Sequence, residues 1–288
     1  MMKTRKSGTG TASGKQGFDG FRFLLPFLLQ ALVAVFLVSC ASRDALSKTR
    51  ADFVANPVVE RAVENSSRYL EALLRTKKLA GLAVVVASPE RTVYMNAVGK
   101  ATPDGVFTVD TLTPVASISK LFTATAIMRL SEEGLLDLNA PLSRYLPDFK
   151  PRTWGPDPDG VTIRSILAHQ SGIISDYYGP GFMPLPSWKE QDERPYADLD
   201  RLVSETALCQ ESYTISSYSN VGFALLGLVV EKVSGRKFND YVRETILLPA
   251  GMKDSGFTYR PELDKRYARG QRGKNWVDIM GIPDSPAG

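Results

Sequence analysis

The chain has 288 residues, of which 43% are apolar and 23% are charged. This composition excludes a collagen-like, disulfide-knotted or wholly disordered chain, and the length suits one large domain or two small ones. The formal net charge is +4 at pH 7, but the positive excess lies before residue 40, and the remainder has equal numbers of basic and acidic residues. No nucleic-acid partner is therefore expected.

The first 39 residues are predicted to be a lipoprotein signal peptide. Basic residues precede an apolar run over residues 23–38, which is shorter than the roughly 20 residues of a spanning helix. The run ends in Leu37-Val38-Ser39-Cys40, which resembles the bacterial lipobox, so Cys40 is the predicted lipidation site. We expect a lipid-anchored protein of the cell envelope, at the outer membrane or the periplasmic face where the source has two membranes. A plain membrane anchor with an incidental cysteine and a mitochondrial transit peptide are the alternatives.

Residues 40–55 are predicted to be a tether, and residues 56–288 to be the folded domain. Asn56-Pro57 is typical of a helix start, and Gly81 ends the apolar periodicity that follows. Residues 82–88 and 91–98 are rich in β-formers and meet at Pro89-Glu90, which predicts a hairpin.

Helical spacing dominates the rest of the chain. Helices are predicted over residues 117–133, 162–169, 199–207, 220–233 and 238–247. A long polar and aromatic loop is predicted over residues 174–197. One hairpin beside mostly helical sequence indicates an α+β fold, with an antiparallel sheet flanked by helices.

The cysteine and histidine content argues against a metal enzyme. Once Cys40 is acylated, Cys209 is the only cysteine of the mature chain, so no intramolecular disulfide is expected. His169 is the only histidine, and it cannot form a multi-histidine site by itself. Neither a metal nor another cofactor is expected.

Ser117-Ile118-Ser119-Lys120 opens the predicted helix at 117–133. Residues three apart share a helix face, so the Ser117 hydroxyl and the Lys120 amine can meet within one turn. The partial positive charge of the helix N-terminus favours a neutral lysine and an oxyanion at the serine. Such a lysine can take the serine proton without any histidine.

Two short patterns occur twice. Ser-x-x-Lys recurs at Ser234-Gly235-Arg236-Lys237, where the glycine indicates a helix end. Tyr-x-Asn occurs at Tyr94-Met95-Asn96 inside a predicted strand, where a structural role is expected. It also occurs at Tyr218-Ser219-Asn220, at a loop-to-helix junction of the kind that carries functional groups.

Four segments of the chain together carry a resemblance to a known family, in the order in which they occur. They are VASISKLFTATAIMRLSEEGLLDLNAPLSRYLPDF (115–149), ILAHQSGI (166–173), YSNVGFALLGLVVEKVSG (218–235) and LPAGMKDSGF (248–257). Together they closely resemble the β-lactamase-related serine hydrolases of the penicillin-binding superfamily, on the class C β-lactamase side. The resemblance implies the serine β-lactamase or penicillin-binding fold, with its sheet beside a mostly helical subdomain.

The resemblance also implies roles for individual residues. Ser117 would be the acylated nucleophile and Lys120 its base partner, in the Ser-x-x-Lys arrangement. Tyr218 would relay protons, and Asn220 would bind the substrate amide. The backbone N–H of Ser117 would form half of an oxyanion hole. His169 is expected to be structural.

The chain departs from the family pattern in two places. Ser212-Tyr213 stands where the family usually has Pro-Gly. The third motif, a Lys-Thr-Gly or His-x-Gly on an inner strand, is absent, and the one Lys-Ser-Gly is Lys6-Ser7-Gly8 in the leader. We therefore expect a chain whose C-terminal strands are missing, with low activity and an unpaired hairpin edge.

The first functional hypothesis is a lipid-anchored serine hydrolase that acts by acyl transfer to Ser117. Its substrate would be an ester, a β-lactam or a D-amino-acyl, peptidoglycan-like peptide. The alternative is a non-catalytic cell-envelope binding protein that keeps the fold. A structural lipoprotein with chance motifs is a third, weaker interpretation, because four ordered segments argue against chance.

Overall fold

The computed structural model describes residues 57–176, 203, 206–277 and 286–287. The chain divides into two compact units after Arg68, and the candidate site lies wholly within the second. The signal peptide, Cys40 and the tether fall outside the described residues. Those predictions therefore have no structural counterpart here.

The first described element is helix α1, Pro57–Lys77, which lies within the predicted helical stretch. It is amphipathic, and Leu70 on its apolar face is 5% exposed. Pairs of opposite charge four residues apart, such as Glu71 with Arg75, lie on its solvent side. This helix leads into the hairpin.

The predicted hairpin is present as strands β1, Gly81–Ala87, and β2, Thr92–Gly99. The strands are antiparallel, with Gly81 opposite Gly99. The backbone N–H and C=O of Ser88 and Arg91 bond to each other and close the turn. Among the described strands the hairpin pairs only with itself, so it forms a two-stranded sheet.

The predicted helix at 117–133 is divided at its start. A 3₁₀ turn spans Ala116–Ile118, and the α-helix proper, α2, spans Ser119–Glu132. Ser117 therefore lies in the turn before the α-helix and not within its first turn. The cause is Ala116, whose φ of 47° is left-handed and breaks the helical path.

Short elements connect α2 to the central helix. They are 3₁₀ turns at Leu142–Arg144 and Pro158–Gly160, strand β3 at Arg152–Thr153, helix α3 at Ile163–Leu167 and strand β4 at Ala207–Leu208. Helix α3 falls inside the predicted 162–169, and Thr162 caps it through a reciprocal bond with Ser165.

The prediction of helix through Ala207 is wrong, because Ala207–Leu208 is a strand. It pairs in parallel with Arg152–Thr153, and the Ile174 N–H donates to the Ala207 carbonyl. Pairing on both sides outweighs the helical apolar spacing. Of the predicted 199–207 helix, Val203 alone is described as helical; most of the aromatic loop at 174–197 lies outside the described residues.

Helix α4, Asn220–Ser234, is the most buried of the described helices. Every residue from Val221 to Val230 is buried, and a helix that is apolar on all sides belongs inside a core. Helices α2 and α3 pack against it. Gly235 ends it in the left-handed conformation, which matches the helix end predicted for the second Ser-x-x-Lys.

Helix α5, Phe238–Val242, also packs on α4 and continues into a π-helical turn, Arg243–Leu247. The predicted single helix at 238–247 thus changes its hydrogen-bond pattern midway: the Leu248 N–H donates to the Arg243 carbonyl five residues back. A 3₁₀ segment, Pro261–Arg266, and the small hairpin β5, Gly270–Arg272, with β6, Asn275–Val277, follow.

The described elements mix helices with small sheets, as an α+β fold predicts. Within residues 57–277, apart from the undescribed stretches, no helix has the length and apolarity to cross a membrane.

Candidate active site

The strained turn before α2 presents Ser117 to solvent beside a buried lysine. Ala116 holds a left-handed conformation that costs about 1–2 kcal/mol for a residue with a side chain. Strain of this kind clusters at functional positions. Lys120 is only 6% exposed, and its Nζ lies 3.5 Å from the Ser117 Oγ. The spacing of three residues thus brings the two groups together even though the serine precedes the α-helix.

Two carbonyl oxygens hold the buried Lys120 amine. Its Nζ donates to the Asn220 Oδ1 at 2.6 Å and to the Ala287 carbonyl at 2.6 Å. Aromatic faces complete its surroundings, with the Nζ 4.8 Å from the ring centre of Tyr218 and 5.5 Å from that of Phe223. Carbonyl oxygens can only accept, so both of these contacts use N–H groups of the lysine. The remaining valence of the nitrogen is left for Ser117 and Tyr218.

The Tyr218 phenol is the third member of this group. Partial burial raises its pKa, but hydrogen bonds with Lys120 and Ser117, together with the positive charge of Lys120, outweigh that effect and leave the pKa of Tyr218 below its usual value. The ring is 46% exposed. A phenol with these partners is suited to passing a proton between the serine and an incoming molecule.

His169 supports the tyrosine from behind. Its ring lies 4.4 Å from the Tyr218 ring and 5.0 Å from the Phe223 ring, centre to centre. Its Nδ1 accepts from the Ser219 N–H at 3.2 Å, so this nitrogen carries no proton. Burial, and next the positive charge of Lys120, lower the pKa of His169. These contacts agree with the structural role expected from the sequence.

Asp176 is a site residue that the sequence analysis missed. Its Oδ1 accepts from the Asn220 Nδ2 at 2.7 Å, and its Oδ2 accepts from the Ser175 hydroxyl at 2.7 Å. The available signal was its position three residues after the ILAHQSGI segment (166–173). The site therefore contains a carboxylate that is linked to Lys120 by hydrogen bonds through Asn220.

Residues Pro286 and Ala287 form one wall of the site. The Thr123 hydroxyl donates to the Pro286 carbonyl at 2.6 Å, one helical turn after Lys120. Gly227 of α4 makes the approach possible, since a Cβ there would lie 2.0 Å from the Pro286 Cγ. The sequence analysis did not link these residues to the site, because nothing local connects them to Lys120.

The structure thus brings Ser117, Lys120, Tyr218 and Asn220 into one group of contacting side chains. The other Tyr-x-Asn pair lies in β2, where the Asn96 Nδ2 donates to the Tyr94 hydroxyl at 3.2 Å. In the part of the chain that the structure describes, no three His, Cys, Asp or Glu side chains gather as a metal site would require. Cys209 is a free, exposed thiol.

Comparison with known proteins now adds to this geometry. The model of the family described as Beta-lactamase matches residues 67–288. The chain belongs to this family. The match confirms the resemblance deduced from the four ordered segments.

Relatives in the β-lactamase family carry several activities in their names. The chain is 32% identical to Penicillin-binding protein 4* of Bacillus subtilis (strain 168), over 72% of this chain and 46% of that protein. It is 33% identical to esterase EstB of Burkholderia gladioli, over 64% of this chain and 48% of the esterase. It is 26% identical to the D-alanyl-D-alanine-carboxypeptidase/endopeptidase AmpH of Escherichia coli (strain K12), over 76% and 56%. The chain spans about half the length of these relatives.

Solved structures show the same fold. A class C β-lactamase superposes with a TM-score of 0.65 at 23% identity, over 81% of this chain and 61% of that one. The octameric penicillin-binding protein homologue from Pyrococcus abyssi superposes with a TM-score of 0.61 at 27% identity, over 77% and 51%. The expected serine β-lactamase or penicillin-binding fold is therefore confirmed.

Proposed function

We propose that this β-lactamase-family chain belongs to a serine hydrolase that transfers an acyl group to Ser117 and then to water. The observation that carries the proposal is the arrangement around Lys120. Asn220 and Ala287 accept from two N–H groups of the Lys120 amine, so the third position on the nitrogen faces Ser117 and Tyr218. When the amine is neutral, that position is a lone pair that can accept a hydroxyl proton.

In the acylation step, the Ser117 Oγ attacks the acyl carbonyl carbon while its proton moves to the Lys120 Nζ, directly or through the Tyr218 hydroxyl. The bond to the leaving group then breaks, and Tyr218 donates a proton to the departing atom and regains one from Lys120. Water next attacks the acyl-serine ester, which releases the acid and restores the Ser117 hydroxyl. All proton transfers stay within three side chains that contact one another.

The negative charge that develops on the carbonyl oxygen needs a donor. In the described part of the chain, the Ser117 N–H donates to no acceptor. It lies beside the start of α2, where the helix dipole favours negative charge. We assign this N–H to the oxyanion, as one of the donors that such a site requires.

The names of the relatives support a proposal for the substrate class. Names among the relatives include an esterase and a D-alanyl-D-alanine carboxypeptidase, and solved structures of the same fold include β-lactamases. We propose an ester, a β-lactam or a D-amino-acyl peptide as the substrate. A second N–H of the Asn220 amide is available to its carbonyl group.

Covalent labelling tests the catalytic proposal. The full chain is treated with a fluorophosphonate and with a fluorescent penicillin, and the modified residue is identified by mass spectrometry. We expect the adduct on Ser117, its loss in Ser117→Ala, and unchanged labelling in the neighbouring control Ser119→Ala. Lys120→Ala should slow labelling by about 10²–10⁴-fold. Labelling at another serine, or none with either reagent, would support the non-catalytic binding protein instead.

We also propose that the protein is anchored in the cell envelope through a lipid on Cys40. The support is the apolar run that ends at Leu37-Val38-Ser39-Cys40. Palmitate labelling in a bacterial host should give a lipidated mature chain that begins at Cys40, and Cys40→Ser should abolish the label. The matched control is Cys209→Ser, which should keep it. Label that persists in Cys40→Ser would refute the anchor.

A further inference from the structure

The carboxylate of Asp176 takes no part in the proton transfers proposed above. It is half-buried. Its two oxygens have different partners: the Ser175 hydroxyl donates to one and the Asn220 Nδ2 to the other, both at 2.7 Å. Asp176 touches neither Ser117 nor Lys120 through a hydrogen bond. Its hydrogen-bonded route to the lysine therefore passes through Asn220, while its negative charge also acts on the neighbouring Tyr218 and raises the pKa of that phenol.

The backbone fixes this contact. The N–H groups of Asn220 and Val221 both donate to the Ser175 carbonyl, at 2.8 and 3.2 Å. The Ser219 hydroxyl donates to the Ile174 carbonyl at 2.7 Å. These bonds tie the segment that carries Asp176 to the first turn of α4. Asp176 and Asn220 consequently keep their separation as one rigid unit.

The chemistry of the two side chains makes the contact directional. An ionised carboxylate only accepts hydrogen bonds, whereas a carboxamide has one accepting and one donating end. Because Asp176 takes the donating Nδ2, the accepting Oδ1 must face the other way, where it meets the Lys120 Nζ. A flipped amide would place its oxygen against the carboxylate and its N–H₂ against the lysine. Both contacts would then be unfavourable.

We propose that Asp176 is a positioning residue that sets the orientation of the Asn220 amide and, through it, the direction in which the Lys120 amine faces Ser117. The inference rests on the proposed acyl transfer at Ser117. The hydrogen-bond series runs from Asp176 through Asn220 to Lys120 and ends at Ser117. Asp176 takes one Nδ2 hydrogen of Asn220, so the second remains available to a substrate.

The first experiment measures the rate of Ser117 labelling by a fluorophosphonate in the full chain. Asp176→Ala should lower the rate constant of the covalent step by roughly 10–100-fold, since small misplacements of reacting groups cost up to about 10²-fold. The dissociation constant of the reversible complex should change far less. Asp176→Asn, whose oxygen can still accept from Nδ2, should recover part of the rate. The charge-matched control Asp148→Asn, at an exposed position, should be unchanged.

A double-mutant cycle shows whether Asp176 acts through Asn220. If it does, the double variant Asp176→Ala/Asn220→Ala should be no slower than Asn220→Ala alone. Additive losses would overturn the proposal, because they would mean that Asp176 affects the reaction by an independent route. Wild-type labelling at Ser117 in the same series shows that the proposed function holds.

A second readout does not depend on activity. The side-chain N–H₂ resonances of Asn220 are recorded by nitrogen-15 NMR and assigned by their loss in Asn220→Ala. A hydrogen bonded to a carboxylate resonates downfield, so Asp176→Ala should move one of the two proton signals upfield, while Asp148→Asn should not. Unchanged Asn220 signals in Asp176→Ala would refute the orientation even in an active protein. A shifted signal in a protein that does not label would retain the orientation and reject the acyl transfer.

Discussion

Helix α4 and the β1–β2 hairpin both consist mostly of apolar residues, but they differ in how far those residues are buried. All residues from Val221 to Val230 are buried in α4, whereas Val85, Val86 and Met95 of the hairpin are 58%, 49% and 54% exposed. Helix α4 is enclosed by α2, α3 and α5, while the described hairpin strands pair only with each other. The candidate site lies beside α4, in this enclosed region. Its geometry thus depends on the best-packed part of the molecule.

A valine-to-alanine substitution in each region should give the largest difference between them in the free energy of unfolding. Val229→Ala, at a position with 0% exposure, should lower the free energy of unfolding by about 2–3 kcal/mol, because it loses burial and leaves a cavity. Val85→Ala in the hairpin should cost less than about 0.5 kcal/mol. Urea denaturation of both variants measures the difference. Equal losses would show that the hairpin face is covered in solution.

The approach of Pro286 to α4 gives the next largest effect. Gly227→Ala places a Cβ against the Pro286 ring, which should cost about 1–3 kcal/mol as overpacking. It should also slow Ser117 labelling, since Ala287 moves away from Lys120. The control is Gly160→Ala, where a Cβ has no neighbour within 4 Å. Normal stability and labelling in Gly227→Ala would mean that this wall does not contribute to the site.

Two serines allow a smaller comparison of the same regions. Ser219 caps α4 by accepting from the Gly222 N–H at 2.9 Å and is 1% exposed. Ser88 makes similar bonds in the hairpin turn, to the Glu90 carboxylate and N–H, in contact with solvent. Ser219→Ala should cost about 1–2 kcal/mol. Ser88→Ala should cost only a few tenths of a kcal/mol in thermal or urea unfolding; a larger loss at Ser88 would reverse the order of the two regions.

The smallest expected effect is the pH dependence from His169. Its pKa in the fold is lowered, by burial first and by Lys120 second, so the unfolded chain binds the proton more readily. Stability should therefore be complete above the unfolded pKa of about 6.5 and should decline as the pH falls below it. His169→Asn keeps an acceptor and tolerates the left-handed backbone at φ 55°. Urea midpoints at pH 5 and 8 should differ less in this variant; the same difference as in wild type would exclude His169 as the source.

Much of the architecture could be predicted from local sequence. The hairpin and helix α4 follow from turn residues and apolar periodicity, and the structure confirms them within a few residues. The prediction at Ala207 is wrong because strand pairing is a long-range interaction that a short apolar pattern cannot reveal. The division of the helix at Ser117 was missed for a different reason. Alanine is a strong helix former, so its left-handed conformation at position 116 has no signature in sequence.

The candidate site likewise combines features that local sequence predicts with features that only tertiary packing sets. By its spacing alone the sequence determined that the Ser117 and Lys120 side chains could meet, since three residues span one helical turn. Its ordered segments determined the family, which the comparison confirms. Only the tertiary structure decided which oxygens receive the lysine N–H groups. Asn220 and Ala287 lie far from Lys120 along the chain, and hydrogen-bond partners at such separations are set by how helices and loops pack. Asp176 reached the site in the same way, because the bonds of Ser175 to α4 carried it there.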